Sequence, residues 1–262
     1  MSRQRLAALS LALLALTAGC SFLGPTPDSY TSTHDYSVGL DANTTLRDVT
    51  VRVPLPAVDG ATAVTASVVA PNGTVEGGFA ARVVASRYGP MLELTADEFV
   101  VRPRYYRVVE ADGTGRREEI TRAEYDPDDP THHVVDHRTA GVRVSVGASY
   151  PLDTRDPVGT EPTFYAPGAV TRGPAACTLP DDDAAACFAY DAPVYLSYDA
   201  PANASVEGVV TVTGSNEWFA GGWTGNSYAD RVTVAATGPQ DGWTSASGRT
   251  ETRRGTYPTP AR

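Results

Sequence analysis

Apolar residues alternate with polar ones in several separate stretches of this chain, and that period of two restricts the fold more than any other feature of the sequence. Valine occupies every second position at residues 49–53, 142–146, 210–212 and 232–234. Arginine, serine or threonine fills the positions between these valines. Successive side chains of a β-strand point to opposite faces of its sheet, so the alternation predicts half-buried strands.

Turn-forming residues separate the predicted strands, as at Pro71-Asn72-Gly73, Asp112-Gly113 and Asp241-Gly242. Helical periodicity is weak, and only residues 118–125 have the length and composition of two helical turns. Many short strands separated by turns predict an all-β fold, which we expect to be a single large antiparallel β-sandwich.

Proline, glycine and aspartate are concentrated between residues 151 and 174. Such a stretch is either a long crossing loop within one sandwich or a link joining two smaller sandwiches near 151–174. The chain is long enough for one large sandwich, so we favour a single body at residues 36–250. Residues 251–262 have no apolar period and are expected to form a flexible tail.

The N-terminus has the pattern of a signal peptide at residues 1–19. Arg3 and Arg5 precede an uncharged run rich in leucine and alanine, which is too short to span a bilayer. The run ends in Thr17-Ala18-Gly19-Cys20, which resembles a lipobox, although the usual leucine three residues before the cysteine is replaced by Thr17. The alternative is an ordinary secretory signal with an incidental cysteine. We favour lipidation at Cys20, with residues 20–35 as the lipidated cysteine and its tether.

The composition is acidic and lacks lysine. All 21 basic residues are arginine, against 31 aspartates and glutamates, and the formal net charge is −10. High salt screens repulsion among like charges, and this composition resembles that of halophilic proteins. A GC-rich genome is the alternative explanation, because it alone would favour arginine over lysine. The sequence has no basic stripe, which argues against a nucleic acid partner.

Two cysteines remain besides Cys20. In an exported protein, Cys177 and Cys187 predict a disulfide around a short acidic loop. Zinc binding by this pair is less favoured, because the close spacing and additional ligands of zinc sites are missing.

Catalytic signatures are weak. The nucleophile motif GxSxG, phosphate-binding glycine loops and dinucleotide fingerprints do not occur in the sequence, so no cofactor is predicted and a non-enzymatic role is favoured. The alternative is a metal-binding protein or a metal-dependent enzyme, because His132, His133 and His137 lie close to Asp136. The same segment is also typical of an exposed acidic loop.

Two tryptophans flank a glycine pair in the stretch NEWFAGGWTGNSY, at residues 216–228. The residues before and after it predict strands, so it should form the tip of a hairpin. Outward-facing Trp218 and Trp223 would offer flat rings to a sugar or to a partner protein. Inward-facing rings would instead cap the core, which is the arrangement that large aromatic residues favour.

Three sequons, which begin at Asn43, Asn72 and Asn203, coincide with predicted turns or strand edges. In an exported chain they are candidate glycosylation sites.

Residues 40–56 (LDANTTLRDVTVRVPLP) and residues 212–234 (VTGSNEWFAGGWTGNSYADRVTV), together with the lipobox, resemble segments of uncharacterised haloarchaeal secreted lipoproteins. The resemblance implies export, membrane anchoring and a β fold, and it brings no catalytic residues. We therefore expect a lipoprotein on the outer face of the cell membrane, acting as a binding or structural module of the envelope. Its expected partners are the membrane, through the lipid, and an envelope protein or glycan.

Overall fold

The computed structural model of the chain describes residues 29–58, 61–62, 78–111, 113–149, 151–164, 172–177, 184–219 and 221–253. Regular structure within these residues consists of strands, which confirms the predicted all-β class. In chain order the strands are β1 (Ser29–Ala42), β2 (Leu46–Pro54), β3 (Pro56–Val58), β4 (Ala61–Thr62), β5 (Ala80–Ser86), β6 (Gly89–Phe99), β7 (Arg104–Ala111), β8 (Thr114–Ile120), β9 (His132–Val135), β10 (Arg138–Ala148), β11 (Thr163–Phe164), β12 (Gly173–Pro174), β13 (Ala184–Asp199), β14 (Ser205–Phe219), β15 (Trp223–Thr237) and β16 (Gln240–Arg253).

One large antiparallel sheet dominates the architecture. Nine strands follow one another in the order β10-β1-β14-β15-β16-β13-β2-β6-β5, and β12 pairs with β13 beside this path. Although β1 and β2 are far apart in this order, the Tyr36 hydroxyl on β1 donates a hydrogen bond to the Pro54 carbonyl at the end of β2, at 3.2 Å. The sheet therefore curls until parts of its inner face meet, which gives a sandwich-like β fold.

The predicted alternation determines which side chains fill the interior. Along β1, Tyr36, Val38 and Leu40 are buried and the residues between them are partly exposed. Val210 and Val212 of β14 lie in the same core cluster, so the valine pattern identified its inner face correctly.

Two smaller sheets accompany the large one, with orders β11-β3-β4 and β8-β7-β9. The two-turn helix considered at residues 118–125 does not form, because residues 118–120 belong to β8 and pair with β7. Arg107 of β7 donates to Glu118 of β8 at 2.8 Å. The chain then turns, and the Glu124 carboxylate accepts hydrogen bonds from both the backbone and the hydroxyl of Thr121.

Residues 151–164 cover part of the inner face of the large sheet. Leu152, Thr154 and Phe164 are buried there, and the rings of Phe164 and Tyr36 lie edge to face at 6.3 Å. The described part of the proline-rich stretch is thus packed onto one sheet. Strand β1 begins at Ser29, inside the stretch expected to be a tether, and β16 continues to Arg253.

The long strands give the molecule two ends. At the hairpin-tip end, Ser29 pairs with Phe219, and Phe219 pairs with Trp223. At the opposite end, Ala42 pairs with Val206, and Ser205 pairs with Thr237. Strand β15 has 15 residues, so at about 3.3 Å per residue these ends are roughly 45 Å apart along it.

Candidate functional site

The two tryptophans of the hairpin tip have opposite environments. Trp218 is 4% exposed and Trp223 is 72% exposed. The even-numbered residues of β14 and β15 face inward along most of both strands. Trp218 therefore lies on the inner face of the sheet, and Trp223 lies on the outer face. The tip therefore contains one core residue and one exposed ring, and the predicted two-ring platform is reduced to Trp223 with its partly buried neighbour Phe219, 5.7 Å away.

Glycines shape this tip in two different ways. Gly221 has a φ of 74°, the left-handed conformation expected at the turn. A side chain on Gly225 would approach the Asn216 carbonyl oxygen to 2.5 Å, so Gly225 is needed for close approach of the paired strands.

The histidine segment lies on the small sheet β8-β7-β9. His132 Nδ1 accepts a hydrogen bond from the backbone N–H of Asp126 at 2.9 Å, which occupies the lone pair of that nitrogen. His133 is exposed and lies opposite Tyr106 of β7. His137 Nδ1 is 3.8 Å from the Asp136 carboxylate.

His137 also lines a cleft of about 920 Å³ together with Arg102, Arg104 and Arg138. Three guanidinium groups repel a divalent cation at this position. Among the residues that the structure describes, no three His, Cys, Asp or Glu side chains are arranged to hold a metal ion. Metal binding by His132, His133, His137 and Asp136 stays a prediction, and the described residues do not bring these side chains together as a set of metal ligands.

The predicted disulfide between Cys177 and Cys187 is present, with a Cα–Cα distance of 5.3 Å. Cys187 is buried on β13, and its carbonyl accepts a hydrogen bond from the Ala175 N–H. The bond therefore holds residues 172–177 against the large sheet.

Two of the three sequons lie at the opposite end of the molecule. Asn43 and Asn203 are both exposed there, and the Asn43 side-chain oxygen accepts a hydrogen bond from the Ser205 N–H at 2.8 Å. Asn72 and the lipidation candidate Cys20 lie outside the described residues.

Polar side chains form an enclosed cluster on the inner face of the sheet near the hairpin-tip end. Asn216 accepts a hydrogen bond from Ser32 and donates to Asn226 and to the Leu152 carbonyl. His34 Nε2 lies 3.3 Å from the Glu161 carboxylate, and both residues are buried. These bonds fix residues 151–164 on the sheet, which is a structural role. Sequence reasoning missed this cluster, although Asn216 continues the inward-facing, even-numbered positions of Val210 and Val212.

A surface groove with half-buried aromatic rings lies on the outer face of the large sheet, and sequence reasoning missed it too. We define the Trp243 groove by Arg87, Tyr88, Asp191, Pro193, Trp243 and Ser245, which line a depression of about 290 Å³. The ring of Tyr88 lies edge to face against Trp243, with ring centres 4.8 Å apart, and the ring of Tyr195 also lies edge to face with Trp243, at 5.5 Å. We call these three rings the aromatic cluster. Its polar groups are the Asp191 carboxylate, the Ser245 hydroxyl and the Arg87 guanidinium, which lies 4.7 Å above the Tyr88 ring centre.

Strand register assembles this groove from residues that are distant in sequence. Trp243 of β16 pairs with Tyr195 of β13, and Tyr195 pairs with Arg52 of β2. The row continues through Glu93 of β6 to Arg82 of β5. We call these five residues the cross-strand row. The sequence signal for this groove was weak: Trp243 directly follows the predicted turn at Asp241-Gly242.

Glu93 anchors the far part of the cross-strand row. Its side chain is 1% exposed and accepts hydrogen bonds from both Arg52 Nε and Arg82 Nε. Burial on its own raises the pKa of Glu93, but the hydrogen bonds and positive charges of the two arginines outweigh it and hold that pKa below its usual value. The guanidinium carbon of Arg52 lies 4.7 Å from the centre of the Tyr195 ring. The ion pairs of Glu93 thus help to position the aromatic rings next to Trp243.

Comparison with protein-family models, with curated proteins and with solved structures found no match to this chain. Within the part of the chain that the structure describes, no helix has the length and apolar character needed to cross a membrane.

Proposed function

We propose that this protein is an exported lipoprotein, anchored to the outer face of the cell membrane through Cys20, that acts as a glycan-binding module of the cell envelope. The observation that carries the binding role is the Trp243 groove. The alternatives are a purely structural envelope component and a module that binds an envelope protein.

The chemistry of the Trp243 groove suits a neutral or weakly charged sugar. The C–H faces of a sugar ring pack on aromatic rings, and the groove is lined by Trp243 and Tyr88, whose rings lie edge to face at 4.8 Å. Sugar hydroxyls need both donors and acceptors, which Arg87, Asp191 and Ser245 provide at its edge. Aromatic rings bordered by a few polar groups are typical of a ligand site.

The position of the groove also suits an anchored binder. Trp243 follows shortly after the turn between β15 and β16, which lies at the opposite end of β15 from Trp223. Because β1 begins at the hairpin-tip end, a lipid on Cys20 would tether the molecule at that end, and the Trp243 groove lies near the opposite end of the sheet.

Anchoring is tested by replacing Cys20 with serine and measuring where the protein is found in the producing cells. We expect the wild-type chain in the membrane fraction, with a lipid mass on Cys20, and the Cys20→Ser chain in the medium. Equal distribution of both chains would refute the lipid anchor while leaving the glycan site to be judged separately.

Glycan binding is tested by calorimetric titration of the purified chain with sugars isolated from the envelope. In Trp243→Ala we expect affinity to fall about tenfold or more, because a lost stacking contact of about 1.4 kcal/mol corresponds to a factor of ten. Trp223→Ala is the matched control, since it removes an exposed indole outside the groove and should bind normally. Unchanged affinity in Trp243→Ala would refute this site.

A further inference from the structure

We propose that Phe219 and Trp223 form a membrane-contact tip that lies at the boundary between the lipid headgroups and the acyl chains of the bilayer. This inference rests on the proposed anchoring through Cys20 and adds a second, protein-mediated contact to it.

The first argument is exposure. Trp223 has 72% of its surface exposed, whereas the other exposed large apolar side chains among the described residues, Val134 and Val158, reach 40% and 38%. Its neighbour Phe219 is partly buried and holds the indole edge to face at 5.7 Å. Exposing so large an apolar ring to water is unfavourable unless something covers it.

The second argument is the attachment point of the tether. Ser29 pairs with Phe219, and Phe219 pairs with Trp223. Neighbouring strands lie about 5 Å apart, so the backbone of Trp223 is about 10 Å from the start of β1. Ser29 is nine residues after Cys20, and nine residues reach at most about 32 Å. The tip is thus the described part of the molecule that an anchor on Cys20 brings nearest to the bilayer.

The third argument is chemical. Tryptophan favours the boundary between lipid and water, because its ring is apolar and its N–H is polar. The exposed charged residue on β14 next to the tip is Glu217, so electrostatic attraction to anionic lipids does not contribute. The contact is apolar and should persist in concentrated salt, which strengthens apolar burial.

The test uses the full lipidated chain in phosphatidylcholine vesicles whose acyl chains carry bromine, a contact quencher of tryptophan fluorescence. We expect quenching in the wild-type chain that is unchanged in molar salt. In Trp223→Ala, the remaining fluorescence should match that in bromine-free vesicles. Trp243→Ala, the matched control, should be quenched at least as strongly in relative terms as the wild type.

Flotation of the same samples separates the two proposals. A chain that floats with the vesicles but shows no quenching, or equal relative quenching with and without Trp223, overturns the membrane-contact tip and leaves the anchor intact. A chain with an unmodified Cys20 that fails to float overturns the anchoring, and the tip proposal falls with it.

Discussion

Asp230 has no exposed surface, and four groups donate hydrogen bonds to its carboxylate. The donors are the Phe164 N–H at 2.7 Å, the Tyr190 hydroxyl at 2.6 Å, the Thr250 hydroxyl at 3.0 Å and Arg172 Nη2 at 3.0 Å. Burial, and then the negative charge of Asp230, raise the pKa of Tyr190 well above its usual value, so this phenol remains a donor. The buried carboxylate of Asp230 is tolerated because these four neighbours all donate hydrogen bonds to it.

Replacing Asp230 with asparagine should strongly destabilise the protein. Arg172, whose side chain is only 9% exposed, would keep its charge and lose its carboxylate partner, and the Phe164 carbonyl and Thr250 hydroxyl to which it also donates carry no balancing charge. We expect the free energy of unfolding to fall by about 3 kcal/mol or more, measured by urea denaturation. Asp241→Asn is the control, because Asp241 is exposed and makes only long hydrogen bonds. Equal, small effects of both substitutions would show that the Asp230 carboxylate is not essential to the stability of the fold.

Two buried tyrosines offer a matched comparison. The Tyr36 hydroxyl donates to the Pro54 carbonyl, whereas the Tyr198 hydroxyl has no hydrogen-bond partner among the described residues. Burial raises the pKa of Tyr198 to about 12. We expect Tyr36→Phe to cost about 1 kcal/mol and Tyr198→Phe to be neutral or stabilising, as measured by thermal unfolding. The reverse order would contradict this assignment of partners.

At the scale of elements, the cross-strand row joins five strands on one face of the sheet. Arg52 and Arg82 approach Glu93 from opposite sides, and Tyr195 connects Arg52 to Trp243. The row thus links the charged centre of the sheet to the proposed binding groove.

Glu93 should make stability depend on pH in the acidic range. The pKa of Glu93 is lowered in the folded state. Its contribution to the free energy of unfolding is therefore fully present above the pKa of the unfolded chain, about 4.3, and is lost as the pH falls through the pKa of the folded state. We expect Glu93→Gln to lower the free energy of unfolding by about 2 kcal/mol at pH 7. The difference from the wild type should shrink below about pH 4.

Urea denaturation as a function of pH measures this, with Glu98→Gln as the control. Glu98 pairs with Arg47 in an exposed position and should change stability little. A constant difference between the wild type and Glu93→Gln at every pH would mean that Glu93 acts through packing and not through its charge.

The elements were predictable where one periodicity governs a stretch. Alternation at Val210 and Val212 correctly located β14 and its inner face, and the pair of cysteines left besides Cys20, Cys177 and Cys187, correctly predicted their disulfide. Strand order was not predictable, because period two fixes the face of a residue and not its neighbour across the sheet. The Trp243 groove needs residues from β13, from β16 and from the turn between β5 and β6, so no local pattern marks it.

At the scale of the whole molecule, the long strands separate two surfaces of different chemistry. The hairpin-tip end carries Trp223 and the start of β1, and the opposite end carries exposed Asn43 and Asn203. Sugars attached to these asparagines would lie away from the tether, as expected for a molecule that stands on a membrane. A net charge of −10 favours a solvated surface in concentrated salt.

The most direct test of the anchored binding module is recruitment of envelope polysaccharide to vesicles that carry the full lipidated chain, measured by co-flotation. We predict recruitment by the wild type and by Trp223→Ala, and loss of recruitment with Trp243→Ala, because the Trp243 groove is the proposed sugar site. Equal recruitment by all three chains, or by none of them, would contradict the account.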